Sequence, residues 1–434
     1  MTDVISNIKD AKAESRRLAA LPTPVKDSAL SAMADALDAS RSIILEANAR
    51  DVENARSEGL GKVMLKRLLV DDSKIDSMIA GIRSVISLKD PVGDTLSTME
   101  LDDGLTLYQI SCPIGLIGVI FESRPDVVPQ IMSLCLKSGN GVVFKGGREA
   151  TETNRALFTI LRDSVADIVP ASSFVMIETR EDVNAILGLN EYIDLLIPRG
   201  SNEFVRFIQQ NTSIPVLGHA AGICHVYVDS DADMEMAWDV ALDSKVQYPA
   251  VCNAMETLLV NADVADRFLP RMCQLLKDNN VEIRCDTRSM EFMDGAVPAS
   301  EEDWDTEYND YVLSVRVVDS VEDAVEFINT HGSHHTDAII TKDPVRIAYF
   351  VNNVDSADVF VNASTRFADG FRFGKGAEVG ISTNKIHSRG PVGMEGLMIY
   401  KYVLIGEGQV VKDYVGNSAR PYKHMVVDKA LELR

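Results

Sequence analysis

Hydrophobic and polar residues follow a helical period over the first fifth of the chain. Residues 6–88 are rich in Ala, Glu, Lys and Arg, and their apolar positions favour consecutive helices. Pro22, Pro24 and the Gly59–Gly61 break divide this stretch. Apolar and polar residues then alternate over 95–101 and 105–110, on either side of an Asp-Asp-Gly turn. This second pattern predicts a β-hairpin.

From residue 115 onward, apolar strands alternate with segments of helical period. In the first series, strands are expected at 117–121, 142–145, 174–177 and 193–197, with helices at 125–137, from 148, at 182–187 and up to 210. In the second series, strands are expected at 257–260, 311–318, 338–340 and 359–361. Apolar strands separated by helices indicate a parallel sheet that is covered on both faces. The predicted fold class is therefore α/β, with two doubly wound parallel-sheet domains.

Two segments fall outside this alternation. Residues 286–308 are acidic and lack a helical period, so we expect an excursion or a lid there. A late strand at 397–404 has no sequential partner, and we expect it to form a small separate sheet with the hairpin. Strand edges left open in such a sheet are suited to joining subunits, so we expect a homodimer or a higher homo-oligomer.

Composition and charge are those of a globular protein that does not act on nucleic acid or membranes. The chain has 434 residues, is 46% hydrophobic and carries a formal net charge of -22, which repels nucleic acid and anionic lipid. We expect no secretion signal, because acid stands where a basic n-region would be. The six cysteines are scattered without a CxxC pair, which predicts free thiols in a reducing cytoplasm.

One of these cysteines is a candidate nucleophile. Cys252 follows Pro249 on a loop, between polar neighbours and a new apolar strand. Cys135 and Cys273 lie in segments of apolar period and are candidates for the core. A thiol on an accessible loop can attack a carbonyl carbon, so the sequence favours covalent catalysis at Cys252.

Two turns that follow strands of the first series combine glycine with cations. The candidate cofactor-binding residues are Lys145, Gly146, Gly147, Arg148, Arg199, Gly200 and Ser201. Neither turn matches GxGxxG, and a glycine pair after a strand is more often a plain connector. The cations favour a pyrophosphate or a 2′-phosphate, because the rest of the chain is strongly acidic.

Five blocks in a fixed order carry a resemblance to a known family. They are Pro113–Pro125, Ser138–Gly147, Leu217–Asp229, Cys252–Thr257 and His387–Leu397. By these blocks the chain resembles the aldehyde dehydrogenase superfamily over nearly its whole length. The resemblance implies an aldehyde dehydrogenase-like fold, with a small oligomerisation sheet beside the two α/β domains.

Within the superfamily, the blocks are most similar to the branch that reduces an acyl phosphate. The resemblance implies that NADPH reduces L-glutamyl 5-phosphate to L-glutamate 5-semialdehyde and phosphate, through a cysteine thioester, in proline biosynthesis. It implies Cys252 as the nucleophile, Lys145 as a contact to the adenosine side of the cofactor, and the 198–201 turn as its phosphate neighbour. The chain contains no amino-acid kinase block, so we expect a separate glutamate 5-kinase to supply the substrate.

The same reading divides the chain into three parts. Residues 1–94 and 113–246 are expected to form the NADPH-binding domain, and residues 247–395 the catalytic domain. Residues 95–112 and 396–412 are expected to form the oligomerisation hairpin and strand.

The chain departs from the wider superfamily at two positions. Hydrolytic members keep a glutamate base where residues 216–222 contain no carboxylate. The asparagine that assists the oxyanion also lacks a counterpart, because 122–126 reads Glu-Ser-Arg-Pro-Asp. An enzyme that reduces a thioester must avoid its hydrolysis, so the missing base favours reduction.

Several polar residues remain candidates for the substrate or for plain structural roles. Arg124, Arg366 and Asn253 are candidates for binding the substrate, and surface ion pairing is as good an explanation of the two arginines. His219 and His225 are either structural or catalytic. The group His331, His334 and His335 suggests a metal on paper, but the ligand set is incomplete and no metal is expected.

Two other functions remain open from sequence alone. The chain could be an oxidising or CoA-acylating aldehyde dehydrogenase, or a catalytically silent oligomeric scaffold. The missing glutamate argues against the oxidising enzyme, and Cys252 argues against the scaffold, which needs no thiol on that loop.

Overall fold

The computed structural model describes residues 2–178 and 186–432. Contacts divide the chain into two compact units. Unit 1 consists of Met1–Gly200, Ile208–Val216 and Gly393–Arg434, and unit 2 of Ser201–Phe207 and Leu217–Val392. Within the described residues, every helix is too short or too polar to span a bilayer.

Unit 1 begins with the run of helices and the hairpin that the sequence predicts. The elements are α1 (Thr2–Ala19), α2 (Thr23–Ala39), α3 (Arg41–Ser57), α4 (Lys62–Leu68), α5 (Asp72–Ser87), β1 (Thr95–Asp102) and β2 (Leu105–Pro113). Leu30, Met33 and Leu37 recur at helical spacing on α2 and are fully buried. Lys26 on the same helix is also buried, where its ammonium pairs with Asp90 at 2.9 Å.

A four-stranded parallel sheet forms the centre of unit 1. Its strands are β3 (Leu116–Phe121), β4 (Gly141–Gly146), β5 (Phe174–Ile177) and β6 (Leu195–Arg199), in the order β5-β4-β3-β6. The helices α6 (Val127–Ser138) and α7 (Thr151–Ser164) belong to this unit. Helix α8 (Asn202–Gln210) is divided, since Ser201–Phe207 belongs to unit 2 and the residues from Ile208 belong to unit 1. β3 is buried along its whole length, which explains its continuous apolar run. The helix expected at 182–187 falls mainly on 179–185, outside the described residues.

Unit 2 is built on a seven-stranded parallel sheet. Its strands are β7 (Cys224–Val228), β8 (Met255–Asn261), β9 (Glu282–Cys285), β10 (Val297–Pro298), β11 (Val312–Val318), β12 (Thr336–Ile340) and β13 (Asp358–Val361). They are ordered β10-β9-β11-β8-β7-β12-β13. A separate antiparallel pair consists of β14 (Gly380–Ser382) and β15 (Gly390–Val392).

Four helices of unit 2 begin at side chains that cap free backbone N–H groups. The helices are α9 (Met234–Val246), α10 (Ala262–Asp278), α11 (Val321–His331) and α12 (Pro344–Asn353). The capping side chains are those of Asp233, Asn261, Ser320 and Asp343. Because each capping side chain accepts from a backbone N–H of the first turn, the helix has a defined start.

The boundary between the units differs from the expected one. We expected residues 113–246 to belong to the first domain, but β7 pairs with β8 on one side and with β12 on the other. A strand paired on both sides cannot be separated from its sheet, so unit 2 includes the chain from Leu217. The sequence shows only that β7 is apolar, and not which sheet buries it.

The acidic segment 286–308 packs onto the sheet of unit 2. Its residues Val297 and Pro298 form the edge strand β10 beside β9. Trp304 is 3% exposed, and Asp303 accepts from Arg284 and Tyr308. The expectation of a lid is therefore wrong, because the segment carries a buried side chain and an edge strand.

The hairpin pairs with the late strand in a four-stranded antiparallel sheet of unit 1. The added strands are β16 (Met398–Ile405) and β17 (Met425–Val426), and the order is β16-β2-β1-β17. We expected this piece to end at residue 412, but β17 extends it. Tyr414 is also buried there and donates to Asp102 at 2.9 Å.

Candidate active site

A partly exposed thiol lies on the loop between α9 and β8. Cys252 and Cys112 are the partly exposed cysteines, and the others are buried: Cys135, Cys224, Cys273 and Cys285. Burial raises the pKa of Cys285 to about 11 and also raises the pKa of Cys135. The buried thiols are therefore core groups, as the sequence predicts for Cys135 and Cys273, whereas a substrate can approach Cys252.

The start of β7 supports the Cys252 loop at close range. A Cβ atom added to Gly222 would stand 2.0 Å from the carbonyl oxygen of Cys252, so only glycine fits there. The Cys224 thiol donates to the same oxygen at 3.2 Å. These contacts fix the backbone from which the Cys252 side chain projects.

The imidazole of His335 faces the Cys252 thiol. His335 Nε2 lies 3.2 Å from Cys252 Sγ, and His335 Nδ1 lies 2.8 Å from Thr336 Oγ1. The Thr336 hydroxyl donates to Asp358 Oδ2 at 3.3 Å. The hydroxyl has one proton and donates it to the carboxylate. Its oxygen is therefore the acceptor in the contact with His335, and Nδ1 carries the proton of the imidazole. The lone pair of Nε2 then faces the thiol and can take its proton.

The backbone just before β12 holds His335 in this position. His334 has a φ of 60°, in the left-handed region, and its ring lies 2.7 Å from the carbonyl oxygen of Asp355. Burial lowers the pKa of His335 well below its usual value, and His219 lowers it further. The imidazole is therefore neutral near pH 7, as a proton acceptor must be.

A second histidine lies beside the pair. The rings of His219 and His335 are 5.2 Å apart between centroids and nearly perpendicular. The Nδ1 atom of His219 lies 3.1 Å from the carbonyl oxygen of Ile381. One ligand atom from each of His219, Cys252 and His335 lies within 4.8 Å of the others, so these residues could hold a metal ion.

The remaining histidines near these positions in sequence have other partners. His331 Nδ1 lies 2.8 Å from Asp305, and His225 Nδ1 lies 2.8 Å from Asp337. His225 and Asp337 are both buried, which gives His225 a structural role. The grouping of residues 331, 334 and 335 in sequence therefore forms no common site.

Two candidate substrate residues belong to the same unit as Cys252. Asn253 donates to the carbonyl oxygen of Ala368 at 2.7 Å, and its own buried Oδ1 has no partner among the described residues. Arg366 is 7% exposed and donates through Nε to Gln247 at 2.9 Å. Burial lowers the pKa of Arg366, while the charge of Cys252 raises it, so the guanidinium lies within electrostatic reach of the thiol.

The turn after β4 in unit 1 carries the first group of cofactor candidates. Lys145 and Gly146 are the last residues of β4. Arg148 is highly exposed and pairs with Glu58 at 3.2 Å. Glu149 accepts from the hydroxyl of Ser123 at 2.7 Å, and its carboxylate lies against Gly147. The turn therefore combines a buried cation, Lys145 at 8% exposure, with the exposed cation of Arg148.

The two glycines of this turn pack so closely against neighbouring side chains that neither position has room for a Cβ atom. A Cβ atom at Gly146 would stand 2.2 Å from Asn154 Nδ2, and one at Gly147 would meet the side chain of Glu149. Both amide atoms of Asn154 are buried and have no partner among the described residues. A close backbone and an unpaired amide are features that suit a bound nucleotide.

The second group of candidates lies at the same edge of the unit 1 sheet. Arg199 ends β6, and Gly200 and Ser201 follow it. β3 lies between β4 and β6, and all three are parallel, so their carboxyl ends meet at one edge. Arg124 comes just after β3 and pairs with Asp126 at 3.1 Å. Arg124 therefore lies in unit 1, whereas Cys252 lies in unit 2.

Sequence reasoning named His335 only in a possible metal grouping and missed its contact with Cys252. Cys252, Gly222 and His335 each come shortly before a parallel strand, namely β8, β7 and β12. These three strands are neighbours, so the residues before them meet at the amino-end edge of one sheet. The sequence does show a histidine directly before an apolar strand. This feature identifies a site residue only when the order of the strands in the sheet is known.

Comparison with known proteins finds relatives that match the whole chain and that share one name. A profile of the Aldehyde dehydrogenase family matches residues 1–290. The gamma-glutamyl phosphate reductase of Methanosarcina barkeri is 60% identical over 441 residues, covering 99% of this chain and 99% of that relative. The gamma-glutamyl phosphate reductase of Acetivibrio thermocellus is 52% identical over 434 residues, covering 100% of each.

Solved structures agree with these relatives. The crystal structure of gamma-glutamyl phosphate reductase from Thermotoga maritima is 40% identical, with a TM-score of 0.92, and the match covers 94% of this chain and 99% of that one. An acetylating aldehyde dehydrogenase from Geobacillus thermoglucosidasius is 18% identical, with a TM-score of 0.63 over 94% of this chain and 97% of that one. The second likeness shows the fold alone.

Proposed function

Because the chain belongs to the aldehyde dehydrogenase family and, within it, to the gamma-glutamyl phosphate reductases, we propose that it reduces L-glutamyl 5-phosphate to L-glutamate 5-semialdehyde with release of phosphate. This reaction belongs to proline biosynthesis. The observation that carries the proposed mechanism is the 3.2 Å contact between Cys252 Sγ and His335 Nε2. A thiol in contact with a neutral imidazole is a nucleophile paired with its base.

The first chemical step uses residues of unit 2. His335 Nε2 takes the proton of Cys252, and the thiolate attacks the acyl carbon of the substrate. The carbon–oxygen bond to the phosphate then breaks, inorganic phosphate leaves, and the acyl group remains on Cys252 as a thioester. We assign the backbone N–H of Cys252 to the oxyanion. Thr336, which donates to Asp358, accepts from His335 Nδ1–H and so orients the imidazole.

The loop opposite the thiol favours reduction over hydrolysis. Hydrolytic relatives use a glutamate to activate water, and residues 216–222 here contain no carboxylate. In this stretch Gly222 instead packs against the Cys252 carbonyl. Without a carboxylate base at that position, the thioester persists long enough to be reduced.

The family implies a nicotinamide cofactor, and we propose NADPH. When bound, it supplies the hydride that converts the thioester to the aldehyde. Lys145 and Arg148 would hold its phosphates, and the Gly146–Gly147 turn would let the backbone approach them. Arg199, Gly200 and Ser201 form the second turn at the same sheet edge and would complete the phosphate site.

For the substrate we propose two anchors near the thiol. Arg366 is buried, lies within electrostatic reach of Cys252 and presents the planar cation that suits a carboxylate or a phosphate. Asn253 holds the loop through Ala368 and contributes its amide at the base of the site. Arg124, a residue of unit 1, remains our candidate for binding an anion.

We propose that two or more copies associate through the small sheet of unit 1. Among the described strands, the outer strand β16 pairs with β2 alone, and it exposes Ile399, Tyr402 and Leu404, at 46%, 62% and 53%. Apolar side chains along an open edge favour strand addition. We also propose a cytoplasmic location, which the six free thiols support, and a separate glutamate 5-kinase as the source of the labile substrate.

One assay separates the proposed reaction from its alternatives. Glutamate semialdehyde and NADP+ are supplied with or without phosphate and with or without coenzyme A. We expect NADP+ reduction that requires phosphate and ignores coenzyme A. Reduction that requires coenzyme A, or that proceeds without either acceptor, would assign the chain to an acylating or a hydrolytic reaction instead.

A further inference from the structure

Three side chains at the thiol are of the types that bind zinc. His219, Cys252 and His335 each offer one ligand atom, and these atoms lie within 4.8 Å of one another. Zinc binds cysteine sulfur and histidine nitrogen at about 2.0–2.3 Å in tetrahedral sites. Ligand atoms on such a tetrahedron are about 3–4 Å apart. The 3.2 Å separation of Cys252 Sγ and His335 Nε2 falls in that range.

Both histidines are already oriented as metal ligands are. A backbone carbonyl only accepts hydrogen bonds, so the contact with Ile381 O fixes the proton of His219 on Nδ1. Thr336 fixes the proton of His335 on Nδ1 in the same way. Metal-ligating histidines usually donate their second N–H to such a partner, because this fixes the ring and the tautomer. Both imidazoles therefore already make the second hydrogen bond that is usual for metal-ligating histidines.

We propose that His219, Cys252 and His335 form a site for one thiophilic divalent cation, with Zn²⁺ as the expected ion, and that occupancy reversibly inhibits the enzyme. The ion displaces the proton of the Cys252 thiol, forms a bond to the sulfur and releases that proton to solvent. The sulfur lone pair that would attack the acyl carbon then forms the bond to the metal, so the sulfur no longer acts as a nucleophile. The inference rests on the proposed function only for its inhibitory consequence.

The surroundings of the site favour weak, exchangeable binding. Three protein ligands leave the fourth position to water, as in open zinc sites. The Arg366 cation lies within electrostatic reach of Cys252 and opposes a second positive charge. Cys224 does not join the site, because its thiol is buried and donates to the Cys252 carbonyl oxygen. The enzyme would thus lose the ion to a chelator.

The test is a direct titration of the full chain with Co²⁺, followed by competition with Zn²⁺. Bound cobalt shows a thiolate charge-transfer band and the intense visible bands of a tetrahedral site. We expect one ion per chain, loss of the charge-transfer band in Cys252→Ala, and an apparent Kd raised at least about tenfold in His219→Asn. His424→Asn removes an exposed imidazole elsewhere and should change nothing.

Activity is measured beside binding, each variant relative to its own rate with chelator. We expect Zn²⁺ to inhibit the wild type at the concentration that displaces cobalt, and His219→Asn to need at least about tenfold more Zn²⁺. An equal Kd in wild type and His219→Asn, or a charge-transfer band that survives Cys252→Ala, overturns the site. The cobalt spectrum could depend on the three residues although the chain lacks the proposed activity. That result would support the metal site and contradict the proposed function.

Discussion

Lys245 Nζ lies 2.5 Å from Glu256 Oε2, and the two residues close the loop that carries Cys252. Lys245 belongs to the last turn of α9, and Glu256 is the second residue of β8. Both side chains are fully buried, and the backbone N–H of Asn309 donates to the second carboxylate oxygen at 3.3 Å. Burial raises the pKa of Glu256 to about 7 and lowers that of Lys245. Burying this ion pair costs free energy of desolvation. Removing one partner costs more, because the other charge is then buried without a countercharge.

The first prediction concerns this pair. Glu256→Gln leaves the Lys245 ammonium buried without a countercharge, so the free energy of unfolding should fall by about 3–5 kcal/mol. The double variant Lys245→Met/Glu256→Leu removes both charges and should recover most of that loss. Denaturant unfolding of both variants and the wild type measures the difference. A loss below about 1 kcal/mol in Glu256→Gln would show that the pair does not hold the loop.

The second prediction concerns the cofactor. Replacing Lys145 and Arg148 together by alanine should raise the dissociation constant of NADPH by roughly ten- to a hundredfold, because charge-assisted hydrogen bonds contribute about 1.5–3 kcal/mol each before screening. NADH binding should change little. Fluorescence titration measures both, and Arg162→Ala is the matched control, since Arg162 is an exposed arginine of unit 1 paired with Asp163. Equal weakening of both cofactors would place these residues on the shared part of the molecule.

The third prediction concerns His335. Replacing this residue by asparagine removes the base in contact with Cys252, so kcat/KM should fall by roughly 10²–10⁴. The rate at which iodoacetamide alkylates Cys252 should fall in parallel, because both reactions need the thiolate. His424→Asn is the control. An unchanged alkylation rate in His335→Asn would mean that the thiol ionises without this imidazole.

The fourth prediction concerns assembly. Truncation before Leu397 removes β16 and β17 and should give a monomer or insoluble protein with little activity. Removal from Asp413 onward spares β16, but it exposes the face that Tyr414 covers and should lower stability. Tyr402→Lys in the full chain places a charge on the open edge and should shift the mass toward monomer in light scattering. A soluble, fully active monomer from the first truncation contradicts an interface on this sheet.

The sequence predicts the elements of this protein better than their arrangement. Cys252 is identifiable because a polar loop after Pro249 distinguishes it from cysteines of apolar period. His335 is not, because its contact with Cys252 depends on β7 lying between β8 and β12. The same strand order explains why β7 and the chain from Leu217 belong to unit 2, although the sequence predicted that this domain begins at residue 247. Strand order is set by burial against distant segments, and hydrophobic period along the chain does not record it.

The C-terminal residues show a related limit. β17 is only Met425–Val426, too short for a visible alternation, and it forms because β1 offers an open edge. The lid, one of the two interpretations of 286–308, was wrong for a similar reason, since the acidic composition obscures buried residues such as Met293 and Trp304. In both cases a few long-range contacts decide the structure, and local composition carries little of that information.

The central claim is that Cys252 carries the acyl group, and one measurement tests it most directly. The full chain is mixed with freshly generated L-glutamyl 5-phosphate without any nicotinamide, and the intact protein mass and the released phosphate are recorded together. We expect one glutamyl adduct on Cys252 and one equivalent of phosphate per chain, with neither in Cys252→Ser. Absence of the adduct in a chain that turns over, or more than about a tenth of the wild-type rate in Cys252→Ser, would contradict the covalent mechanism.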